Sequence, residues 1–232
     1  MAVRSRRSTD RKAKILVVCA HPDDETLGLG GTLALDAASG NDVFVMVLTH
    51  GQFGRDTTNA GIKKRQIQAK KACSILGVRE VKFLDYEDEK LDTIPTVELA
   101  CKIEKNIRNW KPDTIFTHYW GDLNQDHRRV FEAALIASRP APSSKINRFV
   151  CFETPSSTEW GYNPNNFHPN SFVCIDSVIK KKLSALKMYD NEISDYPHPR
   201  SIDSVVNRSK YWGSSIGVKH AEAFMTIREI VR

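Results

Sequence analysis

No stretch of this 232-residue chain approaches the roughly 18 consecutive apolar residues that a membrane-spanning helix needs. A transmembrane role is therefore not expected. The first apolar run, Ile15–Ala20, is also too short for a secretory signal core and leads straight into HPDDE. Cysteine is sparse: five residues, at 19, 73, 101, 151 and 174, an odd number with no CxxC pair. This argues against a disulfide framework and against a thiolate zinc site, and points to buried free thiols in a reducing, cytoplasmic setting. Internal repeats and linker-like segments are missing too, so the length suits one α/β domain with a core of ordinary size.

The body of the chain carries almost no net charge. The formal net charge is +6, but residues 1–14 contribute +5 and the remainder only +1. The reading is a basic, disordered tail over 1–13 and a single catalytic domain over 14–232, with no nucleic-acid partner expected of that domain.

What is present alternates. KILVVCA (14–20), VFVMVL (43–48), VKFLD (81–85), TIFTH (114–118) and 149–152 read as strands, the first two as continuous apolar runs of the kind buried on both faces. Helical patterns fall between them: 26–39 ending at Gly40, 62–76 ending at Gly77, 96–110 before Pro112, and 127–138. The series predicts a Rossmann-like, mostly parallel sheet with helices on both faces. Beyond Glu153 the chain reads as a long loop rich in Pro, Asn and Ser. An amphipathic helix over 176–189, a loop over 196–201 and a helix over 204–212 follow.

Three polar clusters sit where strands end: HPDDE after the first, THGQFGR (49–55) after the second and HYWGDLNQDH (118–127) after the fourth. In open α/β sheets ligands bind beyond the carboxyl ends of the strands. A dinucleotide fingerprint starting at Gly28 and Gly30 would need glycine where Leu33 stands, and the adjacent carboxylates would repel a pyrophosphate. The glycines are expected instead to let a helix pack close to the sheet. Gly213-Ser-Ser-Ile-Gly217 matches G-x-S-x-G, yet no buried strand precedes it and the order of acid and histidine is wrong for a hydrolase triad. A metal centre fits better: His21 and Asp24, three apart on a turn, can face one point, and DLNQDH (122–127) offers further ligands at another strand end.

AHPDDETLGLGGTL (20–33), LTHGQFGR, DLNQDHR, ETPSSTEW, YPHPRS and AEAF together resemble the N-acetylglucosaminyl-phosphatidylinositol de-N-acetylase (PIG-L/LmbE-like) superfamily, bacterial branch. The resemblance spans residues 14–227. It implies a zinc-dependent hydrolase that removes acetate from an N-acetylglucosamine-type amino sugar or its conjugate, and leaves assembly into a homo-oligomer open. The implied zinc ligands are His21, Asp24 and His127, with Asp23 as the carboxylate that first takes and then returns a proton. Other divalent metals suit the same donors. Relatives carry a second histidine where this chain has Asn124, which can donate a hydrogen bond but not a proton near neutral pH. His118 and His198 are the candidates to replace it, with structural roles as the alternative for each.

Asp122 and Asp126 are candidates to orient a ligand, with helix capping as the alternative. Arg55 and Arg200 could hold substrate oxygens, and Trp160 could stack on a sugar ring, against surface pairing and loop anchoring respectively. Glu25 is read as a support. Two further functions stay open at this level: a metal-dependent hydrolase of another small amide, and a catalytically silent sugar-binding protein.

Overall fold

Lys14–Cys19 forms strand β1, and its residues alternate between two cores. Ile15, Val17 and Cys19 pack with Leu29, Leu33, Ala69, Ala72 and Leu76 on one side. Leu16, Val18 and Ala20 pack with Leu99, Ile103, Val130 and Ala134 on the other. A strand covered on both faces has no polar side to show, which is why KILVVCA carries no alternation. The computed structural model describes residues 12–51, 58–141, 144–161 and 166–231.

After β1 come α1 (Asp24–Ala38), β2 (Asp42–Thr49), α2 (Asn59–Leu76), β3 (Glu80–Tyr86), α3 (Thr96–Trp110), β4 (Thr114–His118), α4 (Gln125–Ala137) and β5 (Arg148–Phe152). Then follow β6 (Ser171–Cys174), α5 (Ile179–Leu186), α6 (Ile202–Ile216) and β7 (Ala221–Glu229). Among the described residues seven strands form one sheet in the order β3-β2-β1-β4-β5-β7-β6. The first five are parallel, while β7 runs antiparallel to both β5 and β6. The chain builds outward from β1 to β3, then crosses back to add β4 on the other side of β1. That reversal leaves a crevice beyond the carboxyl ends of β1 and β4.

The architecture matches the sequence reading over β1–β5, while β6 and β7 have no counterpart in it and three further local differences appear. The helix read over 176–189 is only Ile179–Leu186, because Asp176 instead accepts the backbone N–H of His220 at 2.6 Å. The helix read over 204–212 is longer, from a Ser201 cap that accepts the Ser204 N–H to a left-handed Gly217. The GSSIG segment is thus its last turn. The thiols divide: Cys19, Cys73 and Cys151 are buried, whereas Cys101 and Cys174 are exposed. No helix of the described residues is long and apolar enough to cross a membrane. The basic tail lies outside the described residues apart from Lys12 and Ala13, and Lys12 pairs with Asp42 at 2.7 Å.

Candidate active site

The chain leaves β1 at Ala20, whose carbonyl accepts both the N–H and the hydroxyl of Thr49 at 2.9 Å. It then turns through His21-Pro22-Asp23 into α1. Asp23 takes φ 118°, in the left-handed region, at a cost of order 1–3 kcal/mol for a residue other than glycine. Neighbouring carboxylates hold this turn. Asp24 Oδ2 accepts the His21 N–H at 2.8 Å, and Glu25 Oε2 accepts the Asp23 N–H at 3.2 Å. Glu25 is itself buried and receives the hydroxyls of Thr26 (2.6 Å) and Tyr189 (2.5 Å), a support as expected. Burial raises its pKa.

His127 arrives from across the crevice, in the first turn of α4. Asn124 caps that helix through Oδ1, accepting the His127 N–H at 3.2 Å. Capping is the alternative reading of Asp126, and the structure gives that role to Asn124. Asp126 instead accepts the backbone N–H groups of Glu89 (2.8 Å) and Leu91 (3.0 Å) and lies 3.3 Å from His21 Nε2.

His21, Asp24 and His127 each offer a ligand atom within 4.8 Å of the others'. His21 Nδ1 faces His127 Nε2 at 3.2 Å, and Asp24 Oδ1 is 3.5 Å from the same nitrogen. The outer nitrogens back onto carboxylates. His21 Nε2 meets Asp88 Oδ1 at 2.8 Å as well as Asp126, and His127 Nδ1 meets Asp122 Oδ1 at 3.2 Å. Carboxylates so placed favour the tautomer with its proton on the outer nitrogen, leaving the inner nitrogens facing one point. Asp24 Oδ1, fully buried, has no hydrogen-bond partner among the described residues. Two imidazole lone pairs and an orphaned carboxylate oxygen converging in a buried spot fit a divalent cation. A second convergence, His21 with Asp88 and Asp126, uses the outer nitrogen of the same ring. Both Asp126 oxygens already accept amides there, which suits it to orienting His21.

The electrostatics agree. Burial works against charge on His127, but the carboxylates of Asp24 and Asp122 outweigh it and push the pKa to about 9. Burial likewise opposes ionisation of Asp122, yet His127 and the hydroxyls of Ser157 and Thr158 bring it to about 2. Asp122 is thus a charged anchor for His127. His118 is fully buried, stacked on His127 with centroids 3.8 Å apart, and its pKa falls to about 4, chiefly through burial. Its Nε2 accepts the Ala20 N–H at 2.9 Å. The same nitrogen lies 3.2 Å from Asp24 Oδ2, so the ring packs against two of the candidate ligands.

Asp23 is buried, and its Oδ2 lies 3.2 Å from Arg65 Nη2 and 3.3 Å from Arg200 Nη1. Both arginines also contact Glu192, at 2.8 and 3.3 Å. Arg65 additionally donates to the Pro22 carbonyl at 2.7 Å, clamping the HPDD turn from α2. A cavity of about 170 Å³ opens here, lined by His21, Asp23, Asp88, Asn124, Glu192 and Arg200 among others. A larger surface cavity of about 490 Å³ lies at the opposite end of β4 and β5, beside Lys111 and Ile146, away from this chemistry.

The sequence reading named Arg200 but missed Arg65, Glu192, Asp88 and Glu89. Arg65 carried a usable signal: it sits four residues before Ala69 on the apolar face of α2. His198 accepts the Arg200 N–H on Nδ1 at 3.1 Å, and its ring stands edge-on to Trp160 at 6.3 Å. Trp160 is 46% exposed, so it is not a buried anchor, and it does not line the cavity. Arg55 lies outside the described residues.

Residues 16–138 match the family described as GlcNAc-PI de-N-acetylase, PIG-L. The chain belongs to that family. YaiS of Escherichia coli K12, named an uncharacterized deacetylase, is 30% identical over 78% of this chain and 93% of its own length. The diacetylchitobiose deacetylase of Thermococcus kodakarensis is 26% identical over 90% of this chain and 81% of its own. Among solved structures, the conserved protein TT1542 of Thermus thermophilus superposes with a TM-score of 0.77 at 26% identity, covering 94% of this chain and 96% of that one. The matching family, YaiS and the diacetylchitobiose deacetylase are all named for deacetylation, so the enzyme class expected from the resemblance stands.

Proposed function

We propose that this PIG-L protein is a zinc-dependent hydrolase that removes the N-acetyl group from an N-acetylglucosamine-type sugar or its conjugate, and that residues 14–232 form its one catalytic domain. The observation that carries the reading is the inward meeting of His21 Nδ1, Asp24 Oδ1 and His127 Nε2 beside a buried Asp23. His21, Asp24 and His127 would hold the metal. A zinc ion bound there supplies a water acidified toward a pKa of about 7 and a polarising charge for the amide carbonyl.

The remaining work falls to the chain. Asp23 takes the proton of the attacking water as oxygen bonds to the acetyl carbon. It then returns that proton to nitrogen as the C–N bond breaks, leaving acetate and a free amine. Arg65 and Arg200 fix the carboxylate that makes both transfers. Asn124 cannot supply a proton, His118 has Nε2 engaged, and His198 does not line the cavity, so Asp23 serves as both base and acid. The cavity is smaller than the roughly 300 Å³ usual for a whole small-molecule ligand. It suits the acetamido end of a sugar, with the rest of the substrate outside, toward the half-exposed Trp160.

Zinc-loaded protein should be assayed for acetate release from free N-acetylglucosamine, its glycosides including diacetylchitobiose, and nucleotide-linked N-acetyl sugars. The T. kodakarensis relative makes diacetylchitobiose the first choice. Release from none of these, with release from simpler amides, would move the substrate to another amide class. Metal binding without turnover on any amide would favour a silent sugar-binding protein.

A further inference from the structure

Helix α1 breaks at Leu29, where φ −145° and ψ 21° leave the helical region. A break of this kind frees a carbonyl on one side and amides on the other, and in a buried helix they need partners. Two charged side chains from distant parts of the chain supply them. Lys182 of α5 donates from Nζ to the Leu27 carbonyl at 2.9 Å. Glu222 of β7 accepts the backbone N–H groups of Gly31 (2.8 Å) and Thr32 (2.7 Å), and the Thr32 hydroxyl at 2.6 Å. Lys182 Nζ and Glu222 Oε1 are 2.6 Å apart, with side chains only 4% and 3% exposed.

The glycines of GLGG belong to this joint. A Cβ on Gly28 would fall 2.4 Å from a Phe152 ring carbon, and one on Gly31 would fall 2.7 Å from Ile175. On one side of the break, Asp24–Gly28 carries Asp24 and Glu25. On the other, Leu33 and Ala34 are locked in the core.

We propose that Lys182 and Glu222 form a splint across the break that sets the direction of the first turn of α1, and through it the aim of Asp24 at His21 and His127. Both are positioning residues, since neither reaches the cavity. An apolar pair could fill the same space but would leave the Leu27 carbonyl and two amides without partners. The inference rests on reading His21, Asp24 and His127 as the metal ligands.

The test is zinc affinity by chelator competition, with thermal stability of the metal-free protein measured alongside, for Glu222→Gln and Thr32→Val. Glu222→Gln should weaken zinc binding ten- to a hundredfold, the range seen when groups supporting a ligand are altered. Thr32→Val removes one hydrogen bond to Glu222 and keeps the ion pair, so it should weaken binding by a smaller factor. A lower melting temperature with parental zinc affinity in Glu222→Gln would overturn the splint, because a purely structural pair would do only that. Should Glu222→Gln fail to fold, Thr32→Val decides: weaker binding supports the splint and parental affinity overturns it. Failure of the parent protein to bind zinc would instead remove the ligand reading, and the splint with it.

Discussion

His21 Nδ1 and His127 Nε2 face each other across 3.2 Å, from opposite sides of the crevice between β1 and β4. At that distance one ring nitrogen carries a proton that the other accepts, and the surrounding carboxylates raise the pKa of both rings. A cation bound by both nitrogens takes that proton's place. Zinc uptake at pH 7 should therefore release at least one proton per site, measurable by calorimetry in buffers of different ionisation enthalpy. The pKa of His127 is raised from 6.5 to about 9, so the proton stabilises the metal-free fold fully below pH 6.5 and its contribution is lost as pH rises through about 9. The melting temperature of the metal-free protein should fall across that window. Apparent zinc affinity should climb across it and then level off.

Asp122 holds the outer nitrogen of His127 and takes the hydroxyl of Thr158 at 2.5 Å and that of Ser157. Asp122→Asn removes the charge and keeps the shape. Zinc affinity should drop ten- to a hundredfold with the fold intact, as measured by chelator competition and circular dichroism.

Arg65 joins three buried groups: the Pro22 carbonyl, Asp23 and Glu192. Removing one partner of a buried ion pair costs about 3–5 kcal/mol, because the other charge is left uncompensated. Arg65→Met should lose stability toward the lower end of that scale in a denaturant melt, because Arg200 still contacts both carboxylates. Adding Glu192→Leu should recover part of it. Neither variant should regain full turnover, since Asp23 would still lack its clamp.

The parallel half of the fold was legible because β1, β2 and β4 are short apolar runs between helical patterns, and burial on both faces leaves them no other use. Strands β6 and β7 were not. β6 is a four-residue strand at the edge of the sheet, and β7 opens Ala-Glu-Ala, where the buried glutamate pairs with Lys182 and with amides of α1. At the site, His21, Asp24 and His127 came together as their positions at two strand ends implied. Arg65 and Lys182 did not announce themselves. Each sits among other basic residues, in KKRQ and KKK, and composition alone makes them surface charges. Their helical phase tells otherwise: Arg65 precedes Ala69 by four, and Lys182 precedes Leu186 by four. Partners that complete such groups, such as Glu192 and Glu222, are set by tertiary folding and leave no local pattern.

The most direct test is turnover and zinc content of Asp23→Asn against the parent, on whichever N-acetyl sugar the parent deacetylates. Asparagine keeps the size of the side chain and cannot carry the proton. Zinc should be bound at parental stoichiometry and acetate release reduced by about 10²–10⁴-fold. Undiminished acetate release with zinc in place would overturn the role assigned to Asp23.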